Sequence, residues 1–394
     1  MKKLIVLSLT LAILSSVCTK AFANTGVKSV AEKHDVSTTL DMEFNYDVNS
    51  AYLIEASTGT VLFAKNEFTA ASPASVTKIM TLLLVCEALE KGMYSLDDIV
   101  TVSANAASMG GSQVYLEEGE RITVEELIKS AVIASGNDAS VALAELTAGS
   151  EAAFVKMMNK KSVELGLNNT NFENTTGLDD TTTKHYSCAS DIGKMSRELI
   201  KHEIILKYSS IWQDTIRNGE FTLTNTNRLV RYYDGCNGLK TGSTDKAGYC
   251  ISATAKRGNM QVIAVIMGAS KRDERNNAAR ALFDYAFANY ALYEGTGGFI
   301  ENVDVAGGRT NFVPIYSTPF SAVVVKSKIS SIELIYDIPP KITAPIKKGD
   351  VVGSIVYIIE GNQIGKADLY VNDDVKKIKV GDLFLRIIKR ISCG

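Results

Sequence analysis

Apolar residues recur at every second position near both ends of a long segment and at every third or fourth position in its middle. That arrangement predicts strands at the ends and helices between them. Residues 51–55 and 61–65 read as a hairpin around Ser57-Thr58-Gly59, the glycine supplying a positive φ. A helix is predicted from Ser75 to about Lys91, with Gly92 as its stop. Ile79, Met80, Leu82, Leu83, Leu84, Val85, Ala88 and Leu89 make it apolar nearly all round. Such a helix belongs in a core, so whatever sits at its start is held rigidly. Further helices are predicted at 124–135, 139–147, 151–165, 190–201 and 276–290. Strands are predicted at 248–255 and 261–267, joined at Arg257-Gly258-Asn259. Together these describe an α+β domain over residues 49–294, an antiparallel sheet flanked by helices.

The pattern changes after Gly295-Thr296-Gly297-Gly298. Pro314, Pro319, Pro339, Pro340 and Pro345 fall among Val- and Ile-rich runs such as 322–325 and 354–359, which reads as a small all-β domain over 299–380. In the last segment, 382–394, Leu383, Phe384, Ile387, Ile388 and Ile391 share one helical face, with Arg386, Lys389 and Arg390 opposite. This is the pattern of a helix lying in a membrane interface, and also of an amphipathic helix packed on the β domain. At the other end, Lys2 and Lys3, an apolar run from Leu4 to Leu14 and the small-x-small triplet Ala21-Phe22-Ala23 read as a signal peptide over 1–23. The expectation is an exported protein at the outer face of the cytoplasmic membrane or in the cell wall. Residues 24–48, polar and without period, are expected to be a flexible lead-in.

A formal net charge of -2 gives no sign of a nucleic-acid partner. Signal cleavage leaves Cys86, Cys188, Cys236, Cys250 and Cys393, an odd and sparse set that makes no disulfide framework. No Cys-x-x-Cys or His-rich spacing suggests a metal.

Chemistry is concentrated in three short motifs. Ser75-Val76-Thr77-Lys78 opens the buried helix, where residues i and i+3 share a face. Serine needs an adjacent base to act as a nucleophile, and lysine serves only when burial or a neighbouring cation depresses its pKa. A capped helix followed by a surface lysine would have the same spacing, so the pair alone proves little. It is followed in order by Ser135-Gly136-Asn137 and Lys240-Thr241-Gly242, completing the signature set of penicillin-binding proteins and class A β-lactamases. Ser135 would offer a hydroxyl between Lys78 and a departing amine. Asn137 would hold the substrate amide, while Lys240 and Thr241 would bind a terminal carboxylate, with the Lys240 charge helping to keep Lys78 neutral. Gly242 would let a peptide lie alongside its strand, and the backbone N–H groups of Ser75 and Ser243 would form an oxyanion hole.

The sequence resembles the low-molecular-mass penicillin-binding proteins of the D-alanyl-D-alanine carboxypeptidase type. The resemblance covers 72–80, 135–139 and 238–244 with Ala247-Gly248-Tyr249. It extends to Phe172-Glu173-Asn174, Gly177-Leu178, His185-Tyr186-Ser187 and the overall layout. It implies the fold of penicillin-binding proteins and serine β-lactamases, followed by a small β domain. It also implies removal of the terminal D-alanine from peptidoglycan stem peptides through an acyl-serine, without cofactor, and covalent inhibition by β-lactam antibiotics. Some members carry His where this chain has Ser243, a position asked only for its backbone N–H. His185 would act at the cleft rim or hold its loop by a hydrogen bond, and Arg272 and Arg275, placed before the last helix of the domain, would add positive charge to the carboxylate pocket.

Two other readings use the same residues. A β-lactamase would need a deacylating glutamate, and Glu164-Leu165-Gly166-Leu167-Asn168 resembles the relevant stretch. Glu164, however, ends a helical pattern begun at Glu151, with Gly166 as its stop, which makes it a solvated helix-end residue. A non-catalytic peptidoglycan-binding scaffold would not need all three motifs intact.

Overall fold

The computed structural model describes residues 40–394 except 181, 296, 383, 385–387, 389, 390 and 392–394. The expected signal peptide, residues 24–39 of the lead-in, Cys393, and Leu383, Arg386, Ile387, Lys389 and Arg390 of the terminal segment lie outside the described residues.

The expected hairpin forms: β1 (Ser50–Glu55) pairs with β2 (Val61–Lys65). Helix α1 (Lys78–Glu90) follows, then α2 (Val124–Val132), α3 (Asn137–Ala148), α4 (Glu151–Glu164) and α5 (Ala189–Leu199). The chain returns to the sheet as β3 (Cys236–Thr244), β4 (Gly248–Arg257) and β5 (Met260–Ala269), and α6 (Arg272–Asn289) closes the region. The sheet is antiparallel throughout, in the order β2-β1-β5-β4-β3. Its first strand therefore pairs with its last, which fixes the two ends of the segment together.

Strand periodicity divides the core. Tyr52, Ile54, Ile263, Val265 and Met267 point into the layer that holds α1, α2, α3 and α5. Ala51, Leu53, Val262, Ala264 and Ile266 point to the other face, where Ala279, Leu282, Phe283 and Ala286 of α6 cover them. Helix α1 is buried at Ile79, Met80, Leu82, Leu83, Leu84, Val85, Cys86 and Ala88, as its all-round apolar pattern predicts. Each fully buried Leu, Ile or Met stabilises the layer by roughly 1.5–3 kcal/mol, so the start of α1 has little freedom.

Beyond α6, β6 (Tyr290–Gly295) pairs with a strand from the expected β domain rather than with the main sheet. The remaining strands are β7 (Gly298–Ala306), β8 (Phe312–Ser317), β9 (Phe320–Val325), β10 (Ile332–Asp337), β11 (Lys341–Thr343), β12 (Val351–Ile359) and β13 (Asn362–Val371). A six-stranded sheet runs β10-β12-β13-β8-β7-β11, and β9 is the partner of β6. Val303, Val313, Ile315, Ile355, Tyr357 and Leu369 make its own core. Val323 of β9 nevertheless joins Tyr290, Leu292 and Phe287 in the core under α6, so the two regions share apolar side chains.

Four expectations are corrected. Residues 40–48 are packed and not a flexible lead-in: Met42, Phe44, Tyr46 and Val48 lie against the α6 core, and the Tyr285 hydroxyl donates to Leu40 O at 2.6 Å. Their every-second-position pattern was the overlooked signal. The helix expected at Ser75 begins as a tight 3-10 turn, Ala74–Thr77, before α1. Ser135 is not helical, because α2 ends at Val132 and Ser135 adopts φ 66 before α3. Arg272 and Arg275 lie within the first turns of α6 instead of preceding it.

Candidate active site

The three motifs meet at one cleft of about 570 Å³, lined by Ser75, Ser135, Thr241, Gly242, Ser243 and both Arg272 and Arg275. Ser75 sits on the 3-10 turn, half-buried, and Lys78 begins α1 completely buried. Lys78 Nζ stands 3.0 Å from Ser75 Oγ, 2.6 Å from Asn137 Oδ1 and 2.9 Å from the Thr176 carbonyl oxygen. The surface-lysine alternative is thereby excluded. Burial pulls the Lys78 pKa far below the usual lysine range, and the nearby charge of Lys240 pulls it further, against a smaller opposing pull from Asp138.

Close approach of backbones makes this possible. A Cβ on Gly242 would lie 2.8 Å from Ser75 N and 2.9 Å from Val76 N, so only glycine lets β3 run beside the serine turn. Gly177, at φ 85, passes so near Ala74 O that a Cβ would stand 1.8 Å from it, and this contact brings the Thr176 carbonyl to Lys78.

On the opposite side, Lys240 Nζ donates to Ser135 Oγ at 2.7 Å and to the Thr241 carbonyl oxygen at 2.9 Å. Its pKa is drawn down to about 7 by burial and by Arg275. Arg275 is itself buried, its guanidinium donating to Asn276 Oδ1 at 2.9 Å and to Cys250 O at 3.4 Å, and burial with the Arg272 charge holds it near 10. The Thr241 hydroxyl donates to Thr226 Oγ1 at 2.8 Å. This wall is a line of cations facing a polar cleft, suited to a carboxylate.

Two expected contacts differ. Ser135 bonds to Lys240 and not to Lys78. Asn137 has both side-chain polar atoms engaged within the protein, since Oδ1 accepts from Lys78 and Nδ2 donates to Gly110 O at 2.7 Å. His185 is buried behind the site: Glu173 N donates to its Nδ1 at 3.0 Å, so Nε2 carries the proton toward Thr77 Oγ1, 2.8 Å away. Burial lowers its pKa to about 4, leaving a neutral ring that holds its loop. Glu164 stands at the exposed end of α4, bonded to Lys161 at 3.1 Å, outside the cleft lining. Cys86, Cys188, Cys236 and Cys250 are free and buried.

Sequence reasoning missed Thr176, Thr226, Ser112, Trp212, Arg228 and Tyr232, the last five on the cleft wall. No local pattern marks a carbonyl such as that of Thr176. Among the described residues no group of His, Cys, Asp and Glu could hold a metal ion, and no helix is long and apolar enough to cross a membrane.

Comparison with known proteins covers both regions. Residues 36–271 match the peptidase S11 family, D-alanyl-D-alanine carboxypeptidase, and residues 293–377 match the C-terminal domain of penicillin-binding protein 5. The chain is 44% identical to the D-alanyl-D-alanine carboxypeptidase DacF of Bacillus subtilis, over 88% of this chain and 90% of that one. It is similar to the crystal structure of penicillin-binding protein 5 from Haemophilus influenzae, with a TM-score of 0.76 and 31% identity, over 86% of this chain and all of that one. Penicillin-binding protein D2 from Listeria monocytogenes, in its ampicillin-bound form, matches 63% of this chain with a TM-score of 0.58 and 29% identity.

Proposed function

The chain belongs to the D-alanyl-D-alanine carboxypeptidase family of serine peptidases, and on that premise we propose that Ser75 is its nucleophile and neutral Lys78 its base. The observation that carries this is the completely buried Lys78 amine 3.0 Å from the Ser75 hydroxyl. A neutral amine has two N–H bonds and one lone pair. Asn137 Oδ1 and the Thr176 carbonyl accept the two hydrogens, which turns the lone pair toward the Ser75 O–H. Asn137 is thus a positioning residue, a different role from the substrate amide contact expected of it.

The terminal carboxylate of the peptide binds Lys240, Thr241 and the Arg275 field. Given this stronger acceptor, the Lys240 ammonium releases the Ser135 hydroxyl, which turns toward Lys78. Ser75 passes its proton to Lys78 as its oxygen attacks the penultimate D-alanine carbonyl, and the N–H groups of Ser75 and Ser243 receive the developing oxyanion. Collapse breaks the C–N bond; the Lys78 proton reaches the departing nitrogen through Ser135, and D-alanine leaves. Water then attacks the acyl-serine carbonyl, giving its proton to Lys78; the bond from the acyl carbon to Ser75 Oγ breaks, Ser75 Oγ takes that proton back from Lys78, and the shortened peptide leaves with a new carboxyl group. A β-lactam would acylate Ser75 by the same first steps.

Ser75→Ala is expected to lower release of D-alanine from diacetyl-Lys-D-Ala-D-Ala by roughly 10⁴–10⁶-fold and to abolish labelling by fluorescent penicillin. Labelling of the variant at another serine would overturn the assignment.

Export and membrane association belong to the same reading. Val380, Phe384, Ile388 and Ile391 are exposed at helical spacing, which supports insertion of this face into a lipid interface. Deletion of residues 380–394 is expected to abolish co-sedimentation with anionic phospholipid vesicles, and unchanged sedimentation would refute the anchor.

A further inference from the structure

The solvent face of the six-stranded sheet carries a row of aromatic side chains on three neighbouring strands. Phe299 on β7 is registered with Tyr316 on β8, and Tyr316 with Tyr370 on β13. Their ring centroids are 6.0 and 6.1 Å apart in succession. Phe299 is 58% exposed and the two tyrosines are half-buried, while the alternate positions, Val313, Ile315 and Leu369, face the core. None of the row is needed to fill that core. Exposed aromatics cost solubility, and a contiguous set on one face marks an interaction surface.

Polar side chains flank the row on the same face. Asn302 and Asp304 on β7, Lys366 and Asp368 on β13, and Lys341 on β11, which is registered with Asp304, flank the rings and are exposed. The chemistry on offer is therefore apolar ring faces, Phe299 set at 72° to Tyr316 and Tyr370 at 32°, with an amide, two carboxylates and two amines beside them. Two carboxylates and two amines leave this face without the excess positive charge that would draw anionic lipid or anionic polymer. A neutral chain of pyranose rings meets both features, because the C–H face of each ring packs on an aromatic face while its hydroxyl and acetamido N–H groups donate to carboxylate and amide oxygens. The spacing between successive aromatic rings is comparable to the length of one sugar unit.

We propose that this face of the β region binds the glycan strand of peptidoglycan, a β-1,4-linked chain of N-acetylated amino sugars. The inference rests on the carboxypeptidase reading only in its choice of polymer, since the stem peptides that the cleft cleaves are carried on that strand. The β region then holds the wall while the cleft samples its peptides.

The test uses the full chain and a soluble β-1,4-linked N-acetylglucosamine hexamer, titrated by calorimetry. Tyr316→Ala/Tyr370→Ala is expected to weaken hexamer binding at least tenfold. It should also slow D-alanine release from intact peptidoglycan and leave kcat/KM on diacetyl-Lys-D-Ala-D-Ala unchanged. Phe299→Ala, at the most exposed ring, provides a second variant with little effect on folding and is expected to weaken binding by a smaller factor. Absence of hexamer binding to the unaltered protein at millimolar concentration, or equal binding by all variants, overturns the proposal. Loss of vesicle co-sedimentation in the double variant with hexamer binding intact would assign the face to lipid instead and overturn it too. Failure of the soluble-peptide assay in the unaltered protein would count against the carboxypeptidase reading and not against this one.

Discussion

Around the cleft the protein buries Lys78, Lys240 and Arg275, whereas in the sheet region beyond Gly295 the buried polar side chains among the described residues are two serines, Ser317 and Ser354. Taking a cation out of water costs several kcal/mol even after relaxation. The β region avoids that cost and is built as strand alternation dictates, apolar inward and polar or aromatic outward. The cleft accepts it, and offsets part of it by giving each amine hydrogen-bond acceptors inside the protein. Buried charge with a depressed pKa therefore separates the region built for chemistry from the region built for packing and contact.

The strongest way to break this contrast is Lys240→Gln. Loss of a buried carboxylate partner is expected to cost roughly 2–5 kcal/mol in kcat/KM, or about 30- to 5,000-fold. It should also move the pH profile in a definite sense. Lys240 lowers the Lys78 pKa, so removing its charge raises that pKa, and the acidic limb of kcat/KM shifts to higher pH because only neutral Lys78 can take the serine proton. An unmoved acidic limb would show that burial alone tunes Lys78.

Leu369→Ala tests the other region. Leu369 is fully buried in the β core, and truncation is expected to destabilise the protein by about 2–5 kcal/mol, read as a lower melting temperature. Turnover of soluble peptide by the folded variant should be unchanged; a tenfold loss of kcat/KM would mean the regions are not separable in function.

The smallest effect is expected from Glu164→Gln. The residue lies at an exposed helix end bonded to Lys161, and exposed pairs of this kind contribute little. Nitrocefin turnover and the rate of penicilloyl-enzyme breakdown, followed by absorbance and by loss of fluorescent label, should stay within about twofold. A large drop in deacylation would revive the lactamase reading.

Much of the site was legible because its chemistry is written in short spacings. Ser75 and Lys78 are one helical turn apart and Lys240, Thr241 and Gly242 are contiguous, so residue order carries their geometry. The helix limits were less legible. Ser135 follows an apolar helical pattern and yet turns to φ 66, because its hydroxyl must face Lys240 on a strand far away in sequence. Arg275 was expected to add charge to the carboxylate pocket from a position before the last helix, and its burial, which no local pattern marks, comes from packing α6 across β4.

Local spacing and composition were enough to place Ser75 beside Lys78, to keep Lys240, Thr241 and Gly242 together on one strand, and to make the C-terminal region all-β. Tertiary structure alone decided which acceptors orient Lys78, that Ser135 answers to Lys240, and that Phe299, Tyr316 and Tyr370 stand in one row. Those relations are made across strands and loops distant along the chain, where contact follows from register and close backbone approach, and no local pattern of residues encodes them.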